Sequence, residues 1–207
     1  GIEKRKDYKN SSLSSLLEMQ YFLDQGHVLN EMVIVGHLPT SNYSTHTIDN
    51  QIIIDEKKKI ISIDGGTGVK SISQLNALII ESKDNQITYQ KEYVQPLPYS
   101  LVYQEIQQEA HDIHKISFPY FEVQIQKRES QFSLCYQKET NQTLWIKNEF
   151  LYRKHGKDYC LDDYTDCMLS IPSHAKVKVI GIYDQYAYVI YQDQVGWIEL
   201  KYLCMKS

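Results

Sequence analysis

The sequence predicts an α+β chain, with a helix–strand unit near its start and an almost wholly β second half. Three observations carry this. Ser11 to Gln25 is amphipathic with a helical period. Short β-branched runs begin at Met32–Val35 and recur along the chain, separated by polar turns. An aromatic string around Trp145 returns around Trp197, 52 residues later.

Residues 1–10 are basic and polar and read as a solvated lead-in. Asn10, Ser11 or Ser12 can cap the helix that follows, and Gly26 suits the position just past its end. Leu13, Leu16, Leu17, Phe22 and Leu23 share one broad face, as in a helix packed on a sheet. His27 then sits at the helix C-terminus as a favourable charge. Met32 to Val35 is continuously apolar and predicts a strand buried on both faces. It stops at Gly36-His37, and Pro39 cannot continue a ladder, so His37 is expected just past a strand end, in the crevice where open α/β sheets place ligands. Gln51–Asp55 and Ile60–Ile63 form a strand pair around a charged turn, ending at Asp64-Gly65-Gly66. Gln74–Ile80 and Ile87–Tyr93 are the next strands, and Pro96 and Pro98 close this part.

Val-Gly-His-Leu-Pro-Thr at 35–40, Ile-Ser-Ile-Asp-Gly-Gly at 61–66 and Gln-Leu-Asn-Ala-Leu at 74–78 together resemble the last third of a calcineurin-like metallophosphoesterase, in its bacterial Ser/Thr protein phosphatase branch. The resemblance covers about residues 10–80. It implies the C-terminal portion of an αββα sandwich, with His37 as ligand to one of two catalytic metal ions and Asp64 in the second shell. The family's Asp-x-His, Gly-Asp-x-x-Asp-Arg-Gly and Gly-Asn-His-Glu motifs do not occur in this sequence. The chain is therefore expected to be a C-terminal part of a larger enzyme. Two divalent ions of the manganese, iron or zinc class would belong to the intact enzyme, and none would be tightly held here. A phosphorylated protein or a small phosphate ester is the implied substrate.

Residues 99–118 are a linker with a short helix or a leading strand; His111 and His114 within it, like His46 in the polar 41–50 loop, read as solvated histidines rather than ligands. Beyond it, Leu144-Trp145-Ile146…Phe150-Leu151 parallels Gly196-Trp197-Ile198…Tyr202-Leu203. Each string follows a strand–turn–strand pattern, at Phe121–Lys127 and Gln131–Tyr136, then at Lys176–Ile182 and Tyr186–Tyr191. With Asp163-Tyr164-Thr165-Asp166 near its start, the Gly-Trp-Ile…Tyr-Leu ending resembles a bacterial SH3-like domain over about residues 158–203. The first copy has Leu144 where Gly is usual. The resulting expectation is a phosphoesterase part over 1–98, a first SH3-like module over 99–151, full or degenerate, and a second β-barrel over 152–207. The two tryptophans should hold equivalent places. An aromatic peptide groove would draw on Tyr164, Tyr183, Tyr186, Trp197 and Tyr202; the competing reading places these rings in barrel cores. The second function class is a non-catalytic interaction module built from tandem SH3-like barrels.

The net charge of −4 argues against nucleic acid as a general partner. No apolar run approaches the ~20 residues that span a bilayer, and a cytoplasmic setting is expected. Cys135, Cys160, Cys167 and Cys204 show no C-x-x-C spacing and read as reduced thiols, against a Cys160–Cys167 disulfide or a zinc site. Apolar faces that a larger enzyme would cover predict homo-oligomers through residues 11–35 or 72–80.

Overall fold

A computed structural model describes residues 1–4, 9–27, 29–109 and 111–204. Strand accounts for 44% of the chain and helix for 10%, so the chain is mostly β. Among the described residues no helix is long and apolar enough to cross a membrane. The chain forms two compact units, Gly1–Tyr43 with Asn50–Gln95, and Ser44–Asp49 with Pro96–Ser207.

In the first unit the helix is shorter than its amphipathic pattern. α1 spans Leu13–Glu18, capped by the Ser12 side chain, which accepts from Ser15 N at 3.1 Å. Tyr21 takes a left-handed φ of 50°, and Phe22–Asp24 continues as a 3-10 turn. The burial has moved with it. Leu13 and Leu17 are exposed, whereas Phe22 and Leu23 form the core with Ile60. Tertiary burial of two large side chains outweighs the propensity of a six-residue helix. His27 is not a solvated helix-end charge: it is buried against the Phe22 ring, and its Nε2 donates to the carbonyl oxygen of Ile2.

β1 (Val33–Val35), β2 (Ile53–Asp55) and β3 (Ile60–Ser62) make a sheet in the order β1-β3-β2, with β1 parallel and β2 antiparallel to β3. The expectation of a doubly buried β1 fails. β3 is the central strand, with Ile60 and Ile61 fully buried, while β1 is an edge whose Ile34 is 46% exposed. A continuous apolar run marks a strand but cannot distinguish centre from edge. β4 (Leu75–Lys83) and β5 (Gln86–Val94) pair as a long hairpin around Asp84-Asn85, both in the left-handed region that two-residue hairpin turns require.

The second unit opens with β6 (Tyr99–Leu101) and β7 (Lys115–Ile116). Residues 104–109 are not helical; Ile106 bridges Ile171 instead. β8 (Glu122–Arg128), β9 (Phe132–Gln137) and β10 (Gln142–Lys147) form a meander, followed by a 3-10 turn at Asn148–Phe150. β11 (Leu151–Lys154) and β12 (Lys157–Cys160) fold back onto β8, giving the order β10-β9-β8-β12-β11. β13 (Tyr164–Thr165) pairs with β7.

β14 (Lys176–Tyr183), β15 (Tyr186–Tyr191) and β16 (Gln194–Glu199) repeat the meander, again ending in a 3-10 turn, at Leu200–Tyr202. Even the bulge recurs, between Ile125 and Lys127 in β8 and between Val179 and Gly181 in β14. The outer strand on β14 is β6, which precedes both repeats, while residue 151 begins β11 inside the first sheet. Sheet membership is thus not colinear with the chain. β15 is buried on both faces: Ala187 and Val189 pack into an aliphatic core with Val177, Ile198 and Leu203, while Tyr188 faces an aromatic cluster.

Candidate functional site

Two places concentrate chemistry, one in each unit. In the first, β1 and β3 run parallel with Val35 opposite Ser62, so both strands end on the same side. Past β1 lie Gly36 and His37; past β3 lie Ile63 and Asp64. Backbone bonds join these ends: Ile63 N donates to Val35 O at 2.9 Å, and Thr40 N donates to Asp64 O at 2.9 Å. The Thr40 hydroxyl donates to the same carbonyl at 3.2 Å.

His37 is exposed and left-handed, with φ 77°, a conformation sparsely populated outside glycine. It borders an open trough of about 380 Å³ that includes Leu16, Leu17, Met19 and Ile34. Asp64 is half-buried, and its Oδ1 accepts from Gly66 N at 2.8 Å, so its carboxylate shapes the turn. That turn requires its glycines. Gly66 has φ +78°, and a Cβ on Gly65 would stand 2.0 Å from the carbonyl oxygen of Gln74.

Among the described residues no group of three or more His, Cys, Asp or Glu side chains is placed to hold a metal ion. One exposed imidazole and one turn-forming carboxylate are not by themselves a donor set for a metal pair. His46 is exposed and lies in the segment that belongs to the second unit. His114 is not a free linker residue: its Nδ1 lies 3.2 Å from Asp166 Oδ2, and its backbone N donates to Asp166 Oδ1 at 2.8 Å.

The second place is a cavity of about 350 Å³ at the seam between the two repeats. Phe132 and Trp145 line it from the first repeat, Tyr186 and Trp197 from the second. These are two pairs of register-equivalent positions. Phe132 opens β9 and pairs with Lys147, two residues beyond Trp145; Tyr186 opens β15 and pairs with Glu199, two residues beyond Trp197. The tryptophans share a position but not an environment. Trp197 is buried, stacked on Tyr188 at 4.4 Å, with its Nε1 donating to Thr165 O at 2.9 Å. Trp145 is half-buried, and the Lys127 ammonium lies 5.9 Å from its ring centroid.

The Leu-for-Gly difference between the repeats has a steric cause. Segment 167–169 lies along β16, and a Cβ on Gly196 would meet Cys167 O at 2.6 Å and Leu169 Cγ at 2.7 Å. At the equivalent place Leu144 is buried and faces Cys135 in β9.

Of the five aromatics expected in a groove, Tyr164, Tyr186 and Trp197 line this cavity. Tyr164 and Trp197 are nevertheless core residues, with 0% and 1% exposure, so they form its floor. Burial pushes the phenols of Tyr164 and Tyr188 well above the usual tyrosine range. The Tyr164 hydroxyl accepts from Lys147 N at 3.0 Å. Tyr183 packs against Phe150 and Trp197 away from the cavity lining, and Tyr202 lies in the closing 3-10 turn beneath Lys201. Phe132, Trp145, Met168, Glu129 and Asp166 were not expected in a site; the in-register aromatic repeat was the signal available for the first two.

No protein-family model, no curated protein and no solved structure matches the chain.

Proposed function

We propose that this chain contributes the C-terminal part of a dinuclear-metal phosphoesterase, of the Ser/Thr protein phosphatase kind, joined to two SH3-like modules that bind a partner. The observation that carries the reading is the parallel β1/β3 pair, whose adjacent ends bear His37 and the Asp64-Gly65-Gly66 turn. Carboxyl ends of neighbouring parallel strands are where open α/β sheets gather ligand-binding groups. The left-handed, exposed His37 supports a role for the imidazole beyond packing.

On this reading the β1-β3-β2 sheet is one corner of an αββα sandwich. His37 supplies one ligand to a site whose other groups come from protein segments outside this sequence. The enzyme would hydrolyse phosphate monoesters with metal-activated water, a chemistry that binding of two divalent ions would supply. A second reading, a non-catalytic interaction module, is favoured by a different observation, the aromatic cavity shared by the two repeats.

The test is para-nitrophenyl phosphate hydrolysis with added manganese. This chain alone should show no turnover. The same chain extended by the segment encoded directly upstream should turn over, and His37→Ala should lower that rate by roughly a hundredfold or more while the fold is kept. Turnover by this chain alone, an undiminished His37→Ala rate, or an inactive extended chain overturns the assignment.

A further inference from the structure

We propose that the cavity between the two repeats binds a lysine or arginine side chain presented by an extended peptide. The inference rests on reading the second unit as a binding module, and the phosphoesterase reading plays no part in it. A volume of about 350 Å³ fits one long side chain and its neighbours, at the small end of ligand pockets. Its lining is five aromatic rings, Met168 and the exposed His111 imidazole, and its carboxylates are Glu129 and Asp166. Ring faces attract cations most strongly where water is excluded, and a nearby carboxylate adds to that attraction.

The chain already uses these rings in this way. Lys147 Nζ lies 5.2 Å from the Phe132 centroid and 5.7 Å from that of Tyr186, with Glu149 Oε1 at 3.3 Å. Lys127 sits over Trp145 and reaches Glu129 Oε1 at 2.6 Å, but it is an exposed rim residue that an incoming cation can displace. Glu129, Glu149 and Asp166 thus set three carboxylates against two ammonium groups, with His114 facing Asp166.

The backbone beside the cavity points to a peptide. β10, which carries Trp145, is the edge of its sheet. Lys147 N donates to the Tyr164 hydroxyl, away from β9. Backbone groups alternate along a strand, so those of Trp145 face the same outer side. Tyr164 already occupies that side at Lys147, so an extended segment would pair at Trp145 and toward Thr143, and there drop a side chain into the cavity.

The chain's two tryptophans both line the cavity, so tryptophan emission reads it directly. The probes are acetylated, amidated Thr-Val-X-Val-Thr peptides with X as Lys, Arg, norleucine or Glu, titrated into the native chain. Lys and Arg peptides should give a saturable change, at least about tenfold tighter than norleucine, with Glu weakest. Glu129→Gln should narrow the Lys-to-norleucine gap without altering the circular dichroism spectrum. Trp145→Ala should weaken Lys and Arg binding about tenfold, read through Trp197. Equal binding of norleucine and Lys would make the cavity a plain apolar dock, and no saturable change with any peptide would make it a packing void. Either result overturns the proposal, as does a Glu129→Gln variant with an unchanged gap. Loss of phosphatase activity in the other assay would not touch any of these outcomes.

Discussion

Phe132 and Tyr186 hold the same register position in the two repeats, and their rings meet edge to face with centroids 5.1 Å apart. The repeats therefore pack through equivalent residues, which places their tryptophans around one shared cavity. Equivalence of position does not carry equivalence of environment, and several measurements follow from that difference.

Trp197 and Trp145 should respond unequally to the same substitution. Trp197→Phe removes the donor to Thr165 O and leaves a buried carbonyl unpaired, at a cost of about 2–3 kcal/mol. Trp145→Phe, at a half-buried site, should cost less than about 1 kcal/mol. Urea denaturation of both variants measures the contrast, and equal losses would contradict it.

Gly196→Ala should destabilise the second repeat by about 1–3 kcal/mol, because its new methyl meets backbone at Cys167 and the branch of Leu169. Adding Leu169→Ala should recover part of that loss in the same denaturation assay, since it removes one of the two obstacles. A neutral Gly196→Ala would show that segment 167–169 can lift from β16.

The four cysteines are free, which corrects the alternative of a Cys160–Cys167 disulfide. Burial pushes the thiols of Cys135 and Cys160 up to about 12 and that of Cys167 up to about 11. Iodoacetamide on the native chain near pH 8 should label Cys204 alone, with all four labelled after denaturation, as read by mass spectrometry.

The same shifts set a direction with pH. These groups fold in their neutral form, and their unfolded counterparts ionise near ~8.5 for thiols and ~10 for phenols. Their contribution is complete below the unfolded values and is lost as pH rises toward about 12 for Cys135 and Cys160. Tyr164 and Tyr188, also raised, act in the same sense. Urea midpoints should fall steadily above pH 9, with the ultraviolet titration of these two tyrosines delayed until unfolding. Midpoints flat to pH 11 would refute this.

The α1–β1 surface carries Leu13, Leu17 and Ile34 in exposed positions, and β1 is an edge strand of its sheet among the described residues. We propose that the isolated chain self-associates there. Light scattering should show mass rising with concentration, reduced by Leu17→Lys with Ile34→Lys. A monomer at every concentration would refute it.

Strand, turn and repeat were legible in the sequence alone because they are local. The apolar-rich runs at 132–136 and 186–190 and the paired Trp-Ile strings encode strand and repeat within a few residues. The His37 and Asp64 turns were legible for the same reason, as the polar and glycine endings of apolar runs. Partner choice was not. That β1 is an edge, that β6 closes a sheet with a strand more than seventy residues later, and that Ser100 bonds the carbonyl of Cys204 are long-range matters. So is the meeting of Trp145 and Trp197 at one cavity. A period-2 pattern states which face of a strand is apolar, but only the competition among all such faces for burial decides which of them meet.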